Sequence, residues 1–348
     1  MDGTLWLSAG DDGVVVLDHG HIFEEKRRKL HSLAYRVLGS VADADDVVQD
    51  VYIRWHEIEH TDLRSPDAWL TTVLTRLCID RLRARDRERD TYLGDWLPEP
   101  ILVSDPALPD RELDLDADLS MALLVLLQRL TPDERTVFLL HDVFGHRHHE
   151  IATMLGKAEV TCRQLLHRAR LSIRAHRPRF HVNDDRLKSL VPRFLDALHS
   201  DDHASLMMLM SEDATLVSDS GGRVRATLKV IQGNERIARL LIGLKRKKAG
   251  RTIEKPMRIN NDLGIVSYVD DQPAAVLWFE VESRKITRIY RILNPDKLKR
   301  VPAVAGTTGG YGGQCLEYAD ALSSNQMESA SNGRTEPRSL PNQKCWTF

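Results

Sequence analysis

The residues best suited to chemistry lie in one basic stretch, 145–179, and the chemistry they suit is recognition of a polyanion. This stretch holds eight Lys or Arg residues, and its acids are Glu150 and Glu159. Arginine can bind phosphates and the edges of guanine, while glutamine can pair with adenine. The candidates for contact with duplex DNA are Thr161, Arg163, Gln164, His167, Arg168 and Arg170. The alternative is a solvated basic helix in an ordinary helical bundle.

The spacing of small and apolar residues predicts a helix-turn-helix that would position these side chains. Ala152 allows two helices to cross closely, and Gly156 tolerates the positive φ that the turn requires. Cys162 and Leu165 would then face the interior, so the candidate side chains would face outward. A basic helix presented in this way can enter the major groove of DNA.

Metal and redox chemistry are not predicted. His146, His148 and His149 stand at a helix start with no fourth ligand nearby in the sequence, which favours surface histidines over a metal site. The cysteines form no CxxC pair, which excludes a zinc ribbon and suits a reducing compartment; they are Cys78, Cys162, Cys315 and Cys345.

Charge of the opposite sign lies nearer the N-terminus. Apolar periodicity predicts helices from Phe23 to about Arg89, with Pro66 at the start of the third. The second helix carries an acidic side that disfavours DNA and suits a basic protein partner; its acids are Asp43, Asp45, Asp46 and Asp50. An ordinary solvated acidic face is the alternative. The third helix alternates arginines with acids.

The rest of the chain predicts a linker and a second type of domain. Residues 91–112 contain four prolines, and Trp96 among them is expected to dock on a neighbouring surface. Helices resume over 113–178. Beyond Pro178, helices at 186–198 and 235–244 with short strand-like runs predict an α+β domain with a curved antiparallel sheet. The runs are 214–217, 224–228, 264–268, 275–279 and 285–292. Residues 1–19 are unassigned, and the Gly- and Ser-rich tail 301–348 is predicted to be disordered.

Composition limits where this chain can act. It has 348 residues and a net charge of −2, so nucleic-acid binding must come from local patches. The longest apolar run, Met121–Leu127, is too short to span a bilayer. The N-terminus lacks a basic region followed by an apolar block, so no secretory signal is predicted. The expected location is the cytoplasm.

Two segments resemble region 2 of bacterial extracytoplasmic-function sigma factors. They are residues 35–55, YRVLGSVADADDVVQDVYIRW, and residues 67–83, DAWLTTVLTRLCIDRLR. The helix-turn-helix stands where region 4 of that family belongs. The WLPEP run at 96–100 and a further domain after region 4 resemble the SigJ-like group, which carries a C-terminal SnoaL-like extension. NPDKL at 294–298 fits the closing motif of that group, and DSGGR at 219–223 resembles its DGGGK loop with Ser and Arg substituted.

The resemblance covers residues 20–300 and implies a multidomain architecture. Two all-α sigma domains are expected: region 2 at 20–90, and region 4 with its helix-turn-helix at 113–178. A linker at 91–112 joins them, and an α+β SnoaL-like cone domain follows at 184–300. The implied function is that of an RNA polymerase sigma factor that directs promoter recognition and transcription initiation. The implied partners are core RNA polymerase, through its β′ clamp and β flap, and promoter DNA. No membrane partner, catalytic residue or cofactor is implied.

The resemblance also implies roles for individual residues. Core polymerase would contact Asp43, Asp45, Asp46, Gln49, Asp50 and Arg54. The −10 element would contact Arg76, Asp80, Arg81 and Arg83, and the −35 element would contact the basic helix described above. The C-terminal domain would regulate the sigma regions through contacts at Trp96, Leu97, Pro98, Glu99, Pro100, Asp219, Gly221, Gly222, Arg223, Asn294, Pro295, Asp296, Lys297 and Leu298.

Two other functions stay open on the residues alone. One is a ligand-sensing repressor in which the cone domain holds an unknown effector. The other is a SnoaL-type isomerase or hydrolase with a DNA-binding appendage. The candidate acids and bases are His199, His203, Asp213, Asp219 and Tyr268, and no pair among them has a spacing that fixes a catalytic geometry. An enzyme is therefore not the expected function.

Overall fold

The N-terminal part of the protein is a helical bundle. A computed structural model describes residues 19–58, 65–88, 92–102, 120–176, 184–227, 229–248, 251–260 and 262–304. Helices α1 (His19–Leu38), α2 (Val41–Glu57) and α3 (Pro66–Glu88) confirm the helical pattern of the sequence. The Ser40 hydroxyl caps α2 by accepting a hydrogen bond from the Asp43 amide at 3.2 Å. Residues 1–18, the acidic part of the linker and the tail from 305 onward lie outside the described residues.

A second group of helices contains the helix-turn-helix. Its elements are α4 (Met121–Leu127), α5 (Pro132–Phe138), a π-helical turn (Leu139–Val143), α6 (His148–Leu155) and α7 (Glu159–His176). Thr131 and Glu134 form a reciprocal capping box at the start of α5. Gly156 ends α6 with φ of 63°, in the left-handed region that glycine adopts without strain.

The C-terminal part combines helices with one mixed sheet. Its helices are α8 (Asp184–His199), α9 (His203–Leu209), α10 (Asn234–Lys247) and α11 (Pro295–Leu298). Its strands are β1 (Met210–Asp219), β2 (Ile231–Gln232), β3 (Thr252–Ile259), β4 (Asp262–Val269), β5 (Gln272–Glu282) and β6 (Lys285–Ile292). The described strands are ordered β2-β1-β6-β5-β4-β3.

The sequence predictions about this sheet were wrong in three respects. Residues 224–227 form no strand, and Val224 is 39% exposed, because this short apolar run lies in a loop without a strand beside it. Strand β3 was missed because charged residues and Pro256 interrupt its pattern; β3 lies at the sheet edge, where proline is tolerated. The β1–β6 pair is also parallel rather than antiparallel.

The sheet is buried on both faces, which ties the C-terminal part to the helical part. Successive residues of a strand point to opposite faces. Thus Leu277 and Phe279 of β5 pack with α8 and α10 in one core, whereas Val276 and Trp278 belong to the core that also contains α1, α2 and α3. All the described residues accordingly belong to one compact unit.

Gly264 on β4 provides a test of this packing. A Cβ at this position would lie 2.4 Å from the Leu277 carbonyl oxygen and 2.3 Å from the Ile259 Cδ1 atom. We expect Gly264→Ala to lower the free energy of unfolding by about 1–3 kcal/mol, because a backbone oxygen in a paired strand cannot move away cheaply. Urea unfolding followed by circular dichroism measures the change.

The control for this test is Gly243→Ala in α10, where a Cβ would meet no heavy atom within 4 Å. Alanine there should raise the free energy of unfolding by about 0.5–1 kcal/mol, since glycine is unfavourable inside a helix. Equal stabilities for the two variants would contradict the packing described for β4.

Candidate functional site

The acidic surface of α2 is the first candidate interface. Asp46, Gln49, Asp50 and Arg54 are exposed, whereas Asp43 and Asp45 are half-buried. Ile53 lies among them with 46% of its surface exposed, an apolar group at the centre of a charged patch. Ile53 was not predicted from the sequence, because one apolar residue on a helix gives no periodic signal. An acidic surface with an apolar centre suits a protein partner.

Arg81, a −10 candidate on α3, lies against this acidic surface. Its guanidinium hydrogen bonds to Asp43 at 2.7 Å and to Asp46 at 3.2 Å. The hydrogen bond and the charge of Asp43 raise the pKa of Arg81. Two groups of residues that the sequence assigned to different partners are thus paired with each other.

The other −10 candidates lie beside the helix-turn-helix. The Arg76 Nε atom donates to the Met154 carbonyl on α6 at 3.0 Å. Arg83 is 3.2 Å from Asp133 on α5, and Lys157 is 3.5 Å from the same carboxylate. Asp80 is exposed and lies 3.9 Å from Arg83. Arg76 and Arg83 therefore hold the two helical groups together.

Helix α7 presents most of the −35 candidates to solvent. Thr161, Arg163, Gln164, His167 and Arg168 are exposed. On its opposite face Cys162 is fully buried, and Leu165 is half-buried in the core. This is the orientation expected of a recognition helix.

Arg170 differs from the other candidates because it is held by the protein. Its guanidinium hydrogen bonds to Asp142 in the π-helical turn at 2.6 Å. Burial raises the pKa of Asp142, but hydrogen bonds from Arg170 and His141 outweigh it and hold that pKa below its ordinary value. Arg170 positions α7 on the preceding turn. Local spacing does not predict Asp142 as its partner, because the two residues are 28 positions apart.

The histidines at the start of α6 pack with other side chains. The His148 ring lies 4.5 Å from the His141 ring, and His146 is 3.6 Å from Glu150. Within the described residues, no cluster of three or more His, Cys, Asp or Glu could hold a metal ion.

The linker docks on the C-terminal part through Asp219. This carboxylate is fully buried at the end of β1 and accepts hydrogen bonds from the Leu97 amide at 2.8 Å and the Tyr92 hydroxyl at 2.5 Å. It also accepts from the Gly221 amide at 3.1 Å. Burial and the hydrogen bond to Asp219 raise the pKa of Tyr92. The carboxylate thereby fixes both the linker and the glycine loop.

Lys297 on α11 is the counter-charge of Asp219. Its ammonium lies 2.6 Å from the Asp219 carboxylate and 3.8 Å from the Trp96 ring centroid, and it donates to the Leu97 carbonyl. The Trp96 ring is also stacked by the Arg85 guanidinium of α3, at 4.2 Å. Burial lowers the pKa of Lys297 to about 8. One buried ion pair thus joins the linker, β1 and α11.

The glycine loop must approach its neighbours closely. Gly221 and Gly222 have positive φ values of 56° and 71°. A Cβ on Gly221 would lie 2.4 Å from the Asn294 amide nitrogen, and a Cβ on Gly222 would lie 2.9 Å from the Leu93 side chain. Arg223, which stands where the related loop has Lys, is 3.5 Å from Asp296 on the surface. Glycine is required at both positions by conformation and by space.

Glu99 connects the linker to the acidic helix. Its carboxylate accepts a hydrogen bond from the Val41 amide at 2.7 Å, at the N-terminus of α2, where a negative charge is favourable. Burial raises the pKa of Glu99. Its backbone carbonyl accepts from the Tyr35 hydroxyl at 2.7 Å, and its neighbours Pro98 and Pro100 are buried. The linker therefore caps the helix that carries the acidic surface.

The C-terminal part contacts both groups of helices beyond the linker. Arg300 pairs with Asp45 on the acidic surface and lies 3.9 Å from Glu99. Asp262 of β4 accepts a hydrogen bond from the Met121 amide at the start of α4, at 3.0 Å. Asn260 donates to the Tyr35 hydroxyl at 3.0 Å. Arg300, Asp262 and Asn260 were not predicted from the sequence, because their partners are more than 140 residues away.

The candidate acids and bases of the cone domain do not meet. His199 is exposed and pairs with Glu254 at 3.0 Å, while Asp219 is occupied by the linker. Tyr268 belongs to the opposite face of the sheet, where its hydroxyl is 3.5 Å from the Met257 sulfur. Asp213 is exposed, and His203 lies at the start of α9.

Comparisons with known proteins identify the family. Models of sigma-70 region 2 and sigma-70 region 4 match residues 22–88 and 120–173. The extracytoplasmic-function RNA polymerase sigma factor SigJ of Mycobacterium tuberculosis is 33% identical over 291 residues, which cover 80% of this chain and 93% of SigJ. This chain is an extracytoplasmic-function sigma factor. SigI of the same organism, a probable member of the family, is 30% identical over 282 residues and 94% of its length.

The solved structures agree with this assignment. The crystal structure of SigJ from M. tuberculosis matches with a TM-score of 0.63 and 31% identity, covering 80% of this chain and 97% of that one. The two helical groups are therefore sigma regions 2 and 4, and the C-terminal helices and sheet are the SnoaL-like extension. As a sigma factor, the protein directs promoter recognition and transcription initiation with core RNA polymerase. Across the described residues, no helix combines the length and apolarity needed to cross a membrane.

The Asp219–Lys297 pair gives a quantitative test of the linker junction. We expect Asp219→Asn to lower the free energy of unfolding by about 3–5 kcal/mol, because it leaves the Lys297 ammonium buried without an anion. Adding Lys297→Met should restore part of the loss, with a coupling energy of about 0.5–3 kcal/mol. Urea unfolding of the single and double variants measures both quantities.

The control is Asp296→Asn, which removes an exposed carboxylate on α11, the helix that carries Lys297. The Asp296 carboxylate lies 2.7 Å from the Lys299 ammonium. This substitution should lower the free energy of unfolding by about 0–1 kcal/mol. Additive effects of Asp219→Asn and Lys297→Met would contradict a direct pair.

Proposed function

We propose that this sigma factor uses three separate surfaces on polymerase and promoter, and that its SnoaL-like extension regulates access to them. The acidic surface of α2 binds the β′ clamp of core polymerase. The start of α3 and the loop before it hold the −10 element. The exposed face of α7 reads the −35 element, while region 4 rests on the β flap.

The observation that carries this proposal is that several proposed contact residues are ion-paired within the chain. Arg81 is neutralised by Asp43 and Asp46, Arg83 by Asp133, and Asp45 by Arg300. Each of these pairs must break before the charged group can bind its proposed partner, at a cost of about 0–1 kcal/mol for an exposed pair. The described arrangement is therefore a closed one, in which these contact residues are paired within the chain. The arrangement competent for promoter binding requires regions 2 and 4 to separate on polymerase.

The extension is suited to hold the closed arrangement. It caps α4 through Asp262, joins the linker through Asp219 and Lys297, and reaches the acidic surface through Arg300. Because these contacts are intramolecular, even a weak one is substantially populated. In this role the extension acts as a fused anti-sigma domain.

We propose no chemistry of its own for the extension. The scattered positions of His199, Asp219 and Tyr268 support a regulatory role over an isomerase or hydrolase. The place of action is the cytoplasm, where polymerase and promoter meet.

Transcription in vitro with purified core polymerase tests the division of labour. Asp46→Arg with Asp50→Arg should abolish capture of core polymerase, because it reverses the charge of the acidic surface. Arg163→Ala should leave that capture unchanged and weaken discrimination at the −35 element, since one base contact contributes about 1–3 kcal/mol.

The matched control is Glu212→Arg with Asp213→Arg, which reverses two exposed charges on β1 of the extension. It should leave polymerase capture and promoter choice unchanged. Polymerase capture by the Asp46 and Asp50 double variant would refute the role of the acidic surface.

Arg300 tests the regulatory part of the proposal separately. Arg300→Ala should increase the affinity for core polymerase about two- to fivefold, because it frees Asp45 from a surface ion pair of about 0.5–1 kcal/mol. Titration of core polymerase with labelled sigma factor measures the change. Lys299→Ala, which removes the neighbouring exposed cation, should leave the affinity unchanged. Weaker polymerase binding by Arg300→Ala would contradict regulation through this contact.

A further inference from the structure

The inner face of the SnoaL-like sheet contains a small cavity that the sigma function does not use. It has a volume of about 50 Å³ and lies between α8, α10 and strands β3 to β6. Its walls are mainly apolar, with contributions from Leu198, Leu241, Leu244, Val269 and Leu277. Region 2 packs on the opposite face of the sheet, through Trp278 and Tyr290. The cavity therefore belongs to the extension alone.

Arg291 brings a positive charge into this cavity. It stands on β6 directly across from Leu277 of β5 and lines the cavity wall. Within the described part of the chain, its guanidinium has no hydrogen-bond or ion-pair partner. Burial lowers its pKa to about 10, so the group stays charged at neutral pH. Arg291 is half-buried, and a guanidinium that loses part of its hydration without gaining a partner is costly, so an anion from outside would offset the cost.

Lys248 adds a second cation at the same cavity. It follows α10 and lines the wall, and burial together with the charges of Arg291 and Arg251 lowers its pKa. The carboxylate in the wall, Glu254, is 3.0 Å from His199, and its charge opposes the lowering of the Lys248 pKa. The other lysine, Lys245, donates to the His199 carbonyl and to Asp201. Arg291 and Lys248 are therefore the cations left to face a ligand.

We propose that this cavity binds a small organic carboxylate. Its carboxylate pairs with Arg291, for which the planar guanidinium offers two parallel donors, and with Lys248. Its hydrocarbon part contacts the leucines of α8 and α10. The apolar walls favour an organic acid over inorganic phosphate, because a strongly hydrated dianion would lose water without enough donors to replace it. The small volume limits the ligand to a few carbon atoms.

The position of Arg291 would connect this ligand to the linker junction. Strand β6 ends at Ile292, and the chain continues directly into Asn294 and Lys297 of that junction. The Leu293 and Asn294 amides both donate to the Asp219 carbonyl, at 2.7 and 3.1 Å. Binding itself does not depend on the proposed polymerase contacts, so its test can fail or succeed independently of them.

Ligand-detected NMR with the full chain tests binding directly, with butyrate as the probe. Butyramide, which has the same shape without charge, and inorganic phosphate are the comparison probes. We expect saturable binding of butyrate. Butyramide should bind at least about tenfold more weakly, since a charged hydrogen bond contributes about 1.5–3 kcal/mol. Butyramide equal to butyrate, phosphate tighter than butyrate, or no butyrate binding at millimolar concentration would overturn the proposal.

Variants of Arg291 assign the site. Arg291→Met should weaken butyrate binding about tenfold or more, and it should keep or raise the unfolding temperature because it removes an unpartnered charge. Arg291→Lys keeps the charge and should retain measurable binding. Arg239→Met on the exposed side of α10 is the control and should bind butyrate like the parent. Full binding by Arg291→Met would refute the site; if that variant fails to fold, full binding by Lys248→Met would refute the proposed pair of cations.

Discussion

The buried ion pair of Asp219 and Lys297 is the interaction on which the arrangement of this sigma factor depends. Asp219 accepts from the Leu97 amide and Lys297 donates to the Leu97 carbonyl, so the pair satisfies both backbone groups of one linker residue. Two buried charges are stable only when each has such partners. The linker follows from there to Glu99, which caps α2. This charge pair thereby fixes the described part of the linker, residues 92–102, against the extension and region 2.

The two-sided sheet explains why the extension is not an independent appendage. A sheet with one face on its own helices would leave the other face in water. Here Trp278 stacks on Tyr290 at 5.0 Å on the outer face, and both are buried in the core shared with region 2. The inner face keeps its own core and the Arg291 cavity. One face of the sheet therefore contacts the sigma regions, while the other is available for a small ligand.

Charge patterns in this protein have two uses that the sequence does not separate. The acids of α2 and the arginines of α3 are typical of surfaces for partners, yet Arg81 joins Asp43 and Asp46 within the chain. On α7, Arg168 is exposed, and Arg163 is exposed but lies 2.5 Å from Glu159 of the same helix. Arg170 belongs to an ion pair with Asp142. Side-chain type predicts that a group can bind an ion. Only the fold decides whether the ion is a phosphate or a neighbouring carboxylate.

The sequence by itself determined the helices of both sigma regions, the turn at Gly156, the α+β character of the extension and the family, because these follow from local periodicity and from motifs of contiguous residues. It missed β3, where Pro256 breaks the pattern, and misplaced a strand at 224–228. The tertiary structure alone decided the contacts of Arg300, Asp262 and Asn260, and the half-buried position of Arg291 at the cavity. Each of these depends on residues brought together from distant parts of the chain, and pairing at that range leaves no trace in local spacing.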